Sequence, residues 1–180
     1  LKEEAERTRD KELLSLLEWS LAVNEEVKKT VKNIPPFDWA LKSLAKICER
    51  SDAICVSQTP IEALLREWHE NDIDRYVSII AGQELGTKAE HLAIATRDRY
   101  EQGCVLMIGD ADGDRKAADA VGALFYPINP GQEDASWHRF HDEACDKFLA
   151  GVYAGEYAKQ MNDEFDALLP STPPWKRNCS

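Results

Sequence analysis

Apolar positions along this chain fall into two textures. Leu13, Leu16, Leu17, Leu21, Val23, Val27 and Val31 recur chiefly every three or four residues among Lys and Glu, which predicts that residues 1–30 are largely helical. Asn33-Ile34-Pro35-Pro36 ends that element, because proline cannot continue a helix and extends the residue before it. Beyond this break, short apolar runs rich in β-branched residues alternate with helical patterns. The runs are 53–57, 76–82, 105–110 and 123–129; the helical patterns lie near 37–50, 60–71, 87–102 and 114–121. Continuous apolar strands separated by helices predict an α/β domain whose parallel sheet is doubly wound, with helices on both faces. One long amphipathic helix is predicted over 134–168, where Phe140, Ala144, Phe148 and Val152 form a stripe that Tyr153, Tyr157, Met161 and Phe165 continue. Gly151 and Gly155 are its candidate kinks, and the Pro-rich tail from Pro170 reads as a loop. The resulting division is a helical segment over 1–33, an α/β core over 34–131 and a carboxyl-terminal helix and tail over 132–180 that pack on the core.

Composition narrows the classes of function. With 33 acidic against 22 basic side chains, the formal charge of −11 opposes a surface built for nucleic-acid phosphates. No apolar run approaches the length of a membrane span, and the charged stretch Leu1–Asp10 is not a secretory signal. The five cysteines are odd in number and widely spaced, without a C-x-x-C pair, so a reducing, cytoplasmic setting is expected rather than a disulfide framework. Cys55 and Cys104 stand inside apolar runs and read as small core residues. No feature of the pattern points to an oligomeric state.

Chemistry is sought at the carboxyl ends of the strands, where open α/β sheets bind their ligands. There Gly109-Asp110-Ala111-Asp112-Gly113-Asp114 sets three carboxylates in five residues, at the start of a helix. Such charges repel unless a lysine or a hard cation such as Mg²⁺ offsets them. The plainer reading makes Asp112 an N-cap and Asp114 a first-turn acid. EF-hand, dinucleotide and P-loop patterns are absent. Ser57, followed by Gln58 and Thr59, offers a hydroxyl and backbone N–H groups to a phosphate oxygen, or serves as a turn serine before a helix with Thr59 as N-cap and Pro60 as first residue. Lys88 opens a helix, where the dipole disfavours a cation; it makes most sense facing the aspartates or a phosphate, with a solvated lysine as the alternative.

A serine closing one strand, a lysine opening a later helix and Gly-Asp-x-x-x-Asp after a third strand resemble, in order and spacing, the haloacid dehalogenase (HAD) superfamily over residues 35–131. The resemblance implies a Mg²⁺-dependent phosphohydrolase that acts on a small phosphate ester through an aspartyl-phosphate. It places Ser57, Gln58 and Lys88 at the phosphate, Asp110 at the metal, and Lys88 with Asp114 in the catalytic machinery. The family's first motif, Asp-x-Asp-x-Thr, has no copy here; Asp72-Ile73-Asp74 precedes a strand, and Asp163-Glu164-Phe165-Asp166 lies in a helical stripe. In family topology the strand bearing that motif runs between the strands at 53–57 and 105–110, so its removal leaves a slot of roughly 10 Å. The nucleophile is therefore expected from a segment outside these 180 residues, with residues 1–33 as the end of a helical cap. A non-catalytic relative that binds a phosphorylated ligand or a partner protein is the alternative. His138, His141, Asp142 and Cys145 share one helix face and read as polar surface rather than a zinc site, and His69 and His91 as structural or solvated.

Overall fold

The computed structural model describes residues 2–30, 32 and 34–169. Val31, Asn33 and the tail from Pro170, with Trp175 and Cys179, lie outside the described residues. The chain divides into two compact units, Leu1–Pro35 and Pro36–Ser180.

In the first unit the predicted helix is two helices, α1 (Lys2–Thr8) and α2 (Lys11–Thr30). The break falls at Arg9, whose φ of 52° no helix accommodates. Asp10 then restarts the helix, its Oδ1 accepting the N–H groups of Glu12 at 2.9 Å and Leu13 at 3.0 Å. Neither Arg9 nor Asp10 interrupts the apolar period, so the break was invisible in the pattern.

The second unit is mixed α/β. Its order is α3 (Asp38–Cys48), β1 (Ile54–Val56), α4 (Ile61–Glu70), β2 (Ile79–Ala81), α5 (Lys88–Thr96), β3 (Leu106–Gly109), α6 (Asp112–Val121), β4 (Leu124–Pro127), α7 (Glu133–Arg139), α8 (Cys145–Leu149) and α9 (Glu156–Leu168). The four strands sit where the apolar runs predicted them and pair in parallel. They form two separate pairs rather than one doubly wound sheet. β1 pairs with β2 in the register Ile54↔Ile79, and β3 with β4 in the register Leu106↔Leu124. Among the described residues no backbone hydrogen bond joins β1 to β3, so each keeps one edge of its ladder unpaired.

The β3–β4 pair is covered on both faces, as its continuous apolar sequence requires. On one face Tyr126 and Ile128 pack with Phe140, Ala144, Cys145, Tyr153 and Met161. On the other, Met107 and Phe125 meet Leu92 of α5, Ala117 and Ala118 of α6, and Phe165 of α9, with Val56 of β1 at the margin. The alternation follows from the two-residue period of a strand.

The long helix predicted over 134–168 is broken in two ways. A π-turn, Phe140–Ala144, separates α7 from α8, and Cys145 N–H bonds back to the Phe140 carbonyl. Gly151 (φ 72°) and Gly155 (φ 88°) then turn the chain through conformations that disfavour a Cβ. That turn buries Tyr153 completely and leaves Val152 exposed, so the expected apolar stripe does not survive as one face. α5 likewise ends at Thr96, short of the expected 102, because Arg97 turns to ψ 124° and Asp98 then takes φ 56°.

Tyr153 donates its hydroxyl to the Phe125 carbonyl at 2.7 Å inside this core. Tyr153→Phe should destabilise the unit by about 1–2 kcal/mol in urea unfolding, since a buried acceptor loses its donor. Tyr157→Phe, which removes only an exposed bond to Glu143, should change little.

Candidate functional site

Thr87 sets the position of Lys88. Its Oγ1 accepts Glu90 N–H at 3.2 Å, and Glu90 Oε2 accepts Thr87 N–H at 2.7 Å, a reciprocal cap that makes Lys88 the first residue of α5. These bonds also hold the Glu90 carboxyl below its ordinary range, the Thr87 backbone contributing most. The T-x-x-E spacing of Thr87 and Glu90 is the sequence signature of this cap. A cation at that position meets the positive end of the helix dipole. Lys88 escapes it by pairing with Asp114.

Asp114 is 1% exposed. Besides Lys88 on Oδ1, its Oδ2 accepts the backbone N–H groups of Asp110 and Ala111, each at 3.2 Å. The carboxylate thus closes the turn between β3 and α6 from the third position of the helix. The N-cap is Ala111, against the plainer reading, which gave that place to Asp112. Gly109 makes the arrangement sterically feasible: a Cβ there would stand 2.5 Å from both Cβ and Cγ of Asp114. Sequence reasoning took Gly109 as part of a motif and missed this close approach.

The three aspartates have separate environments. Asp112 pairs with Lys116 at 2.7 Å and Arg115 at 2.8 Å, which keeps its carboxyl below the ordinary range, Lys116 contributing most, and Arg115 goes on to Asp166 at 2.6 Å. Asp110 is exposed at the end of β3, and its carboxylate has no hydrogen-bond or ion-pair partner among the described residues. So the cluster consists of one buried paired carboxylate, one helix-surface ion pair and one free carboxylate.

Ser57 and Gln58 follow β1. Ser57 Oγ accepts Thr59 N–H at 3.1 Å, which leaves its own hydrogen available to donate. The Gln58 side-chain amide donates to the Gly86 carbonyl at 3.3 Å and ties this loop to the one that precedes Lys88. Pro60, not Thr59, is the N-cap of α4, and the orphan N–H of Ile61 is satisfied at 3.0 Å by Glu84 from the loop after β2. Cys55, in the centre of β1, feels the Lys88 charge; burial pushes its thiol up to about 11, and Lys88 opposes that rise.

The structure therefore joins Lys88 directly to Asp114, Asp114 to the backbone at Asp110, and Gln58 to the loop before Lys88. These contacts link the loops at the carboxyl ends of β1, β2 and β3. Among the described residues no group of three His, Cys, Asp or Glu side chains is arranged to hold a metal ion. Elsewhere, Cys104 is exposed and Cys55 only half-buried, against the core reading of both. Cys145 is buried and leaves the polar face that His138, His141 and Asp142 share. His91 is buried with neither ring nitrogen partnered, and His69 bonds Asp74 at 2.7 Å. No helix among the described residues is long and apolar enough to cross a membrane. The chain matches no protein-family model, no curated protein and no solved structure.

Gly109→Ala should lower stability by about 1–3 kcal/mol, because Asp114 is held by three bonds and cannot yield to the new methyl. Gly113→Ala, one turn away in open space, should be neutral or stabilising by up to about 1 kcal/mol. Paired urea titrations of the two variants check both signs.

Proposed function

We propose that this chain carries the phosphate- and cation-binding part of a HAD-like phosphohydrolase that acts on a small phosphate ester. The observation that carries the reading is the Lys88–Asp114 pair, its carboxylate buried, beside a free Asp110 at the end of a parallel strand. Such a pair at this place orients a lysine toward the strand ends, and an unpaired carboxylate next to it is a natural ligand for a hard cation. Mg²⁺ takes one or two protein carboxylates and fills its remaining positions with water and phosphate oxygens, so Asp110 fits it without a preformed cage. When bound, such an ion neutralises charge on a transferring phosphoryl group.

This chain's own residues would act around it. Asp114 holds Lys88 at the strand ends, where its ammonium offsets the phosphoryl charge. Ser57 donates its free hydroxyl hydrogen to a phosphoryl oxygen. Gln58 keeps the Ser57 loop and the Lys88 loop together. The carboxylate nucleophile belongs, in this reading, to a strand supplied from outside these residues. Two features favour its insertion between β1 and β3: both strands keep an unpaired edge, and Val56 of β1 reaches the cluster that contains Met107 of β3. The second reading is a non-catalytic domain that binds a phosphorylated ligand or partner. It is favoured by the lack of any second free carboxylate in contact with Lys88 among the described residues.

Mg²⁺ at ten times its dissociation constant should stabilise the chain by about 1.4 kcal/mol, a rise of about 3–5 °C in Tm. Asp110→Asn should abolish that rise and leave the metal-free melt nearly unchanged; a variant that still responds would remove Asp110 from the metal. A polypeptide extended upstream through an apolar strand ending in Asp-x-Asp should hydrolyse para-nitrophenyl phosphate in Mg²⁺. Turnover should vanish when the first of those aspartates becomes asparagine. An extended chain that is inert yet keeps the Asp110-dependent Mg²⁺ response selects the binding reading.

A further inference from the structure

Away from the strand ends, α3 meets the π-turn through charged and aromatic groups. The π-turn hands the N–H of Cys145 to the Phe140 carbonyl, which takes from His141 the donor its carbonyl would have in an α-helix. Lys46 of α3 replaces that donor: its ammonium reaches the His141 carbonyl at 2.6 Å and pairs with Asp146 at 2.8 Å. Two turns earlier on α3, Trp39 stacks on His138, ring centroids 4.1 Å apart and planes 24° apart, and lies 5.2 Å from His141. Both imidazoles turn to a single carboxylate. His138 Nε2 stands 2.9 Å from Asp142 Oδ2, and His141 Nδ1 stands 2.7 Å from Asp142 Oδ1.

We propose that this cluster is a pH-responsive clasp, in which protonation of His138 and His141 around Asp142 tightens α3 onto the π-turn. A neutral imidazole can already donate one N–H to Asp142, so the clasp persists in a weaker form when the protons leave. Because Asp142 is an anion, each bond is charge-assisted even with a neutral ring; the added proton turns it into an ion pair and places a cation against the indole. Histidine is the side chain that makes this change between about pH 5 and 8. The same contacts hold the Asp142 carboxyl below its ordinary range, His141 contributing most, so it remains the anion throughout.

The surrounding charges set the sign. From α3, Lys42 lies 3.8 Å from the Trp39 ring centroid and opposes a further cation there, while Lys46 is neutralised by Asp146. Asp38 and Asp134 stand within four residues of Trp39 and His138 and add to the negative side. Arg139 is engaged by Glu164, and Glu143 by Tyr157 and Lys147. Asp142, in direct contact with both rings, outweighs Lys42. The clasp bears on the scaffold because Phe140 and Ala144, on the inner side of the π-turn, are buried against Tyr126 and Ile128. It stands independently of any phosphohydrolase activity.

Amide hydrogen exchange of the full chain, corrected for intrinsic pH effects, tests the clasp. Amides of residues 140–145 should be about two- to fivefold more protected near pH 5.5 than near pH 7.5, the range expected for an exposed cation on an indole. His138→Gln, at a half-exposed side chain whose replacement opens no cavity, should reduce that difference, and Asp142→Asn should abolish it. Emission attributable to Trp39, taken as the difference from Trp39→Phe, should fall with the same pH midpoint. Equal protection at the two pH values, protection that rises with pH, or a difference undiminished in His138→Gln overturns the proposal. The His138 variant decides the matter even if Asp142→Asn fails to fold.

Discussion

A carboxylate with 1% of its surface exposed is a liability unless both of its oxygens are met. Asp114 meets that condition with one ammonium and two backbone N–H groups, and the rest of the unit is arranged around the consequence. Lys88 must open α5, so Thr87 and Glu90 close a reciprocal cap just ahead of it. Gly109 must lack a side chain, so the last residue of β3 is the one that lets the carboxyl approach. The turn from β3 into α6 is tied by Asp114 and not by an N-cap side chain, which is why alanine can occupy position 111. Remove the aspartate and a lysine, two amides and a glycine lose their reason for being where they are.

The same pair is a structural bridge between strands that do not hydrogen-bond to each other. β3 and β4 have complete apolar cover on both faces. β1 and β2 are shorter and less enclosed, with Ile79 exposed, and they contribute Val56 to the margin of the larger core. Side-chain contacts therefore join the two pairs where the backbone does not: Lys88 to Asp114 after the strands, and Tyr100 to Asp52 before β1. A parallel sheet usually has its inner strands the most buried. Here β4 is buried and β1 and β3 are half-buried, a gradient that matches two partial sheets rather than one whole one.

Much of this could be read from the sequence, for physical reasons that differ by element. The four strands are short runs of β-branched and apolar residues bounded by polar ones, and burial on both faces writes that signal strongly. α4 and α6 keep a clear helical period. The failures among the helices are backbone events that leave hydrophobic periodicity intact: the left-handed Arg9 and Asp98, the π-turn at 140–144, and the reversal through Gly151 and Gly155. How the strands pair was legible only as direction, because run length and composition do not reveal which edge stays free. At the candidate site, residue types and positions were legible while partners were not. Asp110, Asp112 and Asp114 look equivalent in one dimension and differ completely once α6 has folded.

That difference is what gives the cluster chemical meaning. Three adjacent carboxylates suggest a shared cation, yet each neutralisation visible here uses a different resource. Asp112 draws on Arg115 and Lys116 of its own helix. Asp114 draws on Lys88 from a helix packed alongside and on the turn it closes. Asp110 draws on nothing among the described residues and faces solvent at a strand end. Left alone, an exposed carboxylate is cheap, so its isolation carries little by itself. Its position does more: the backbone N–H of the same residue is held by Asp114, which is held in turn by Lys88, so the free charge is tied through two bonds to a paired cation. That tie follows from the burial of Asp114; in the reading proposed above, a ligand that carries both a metal and a phosphate would use every part of it.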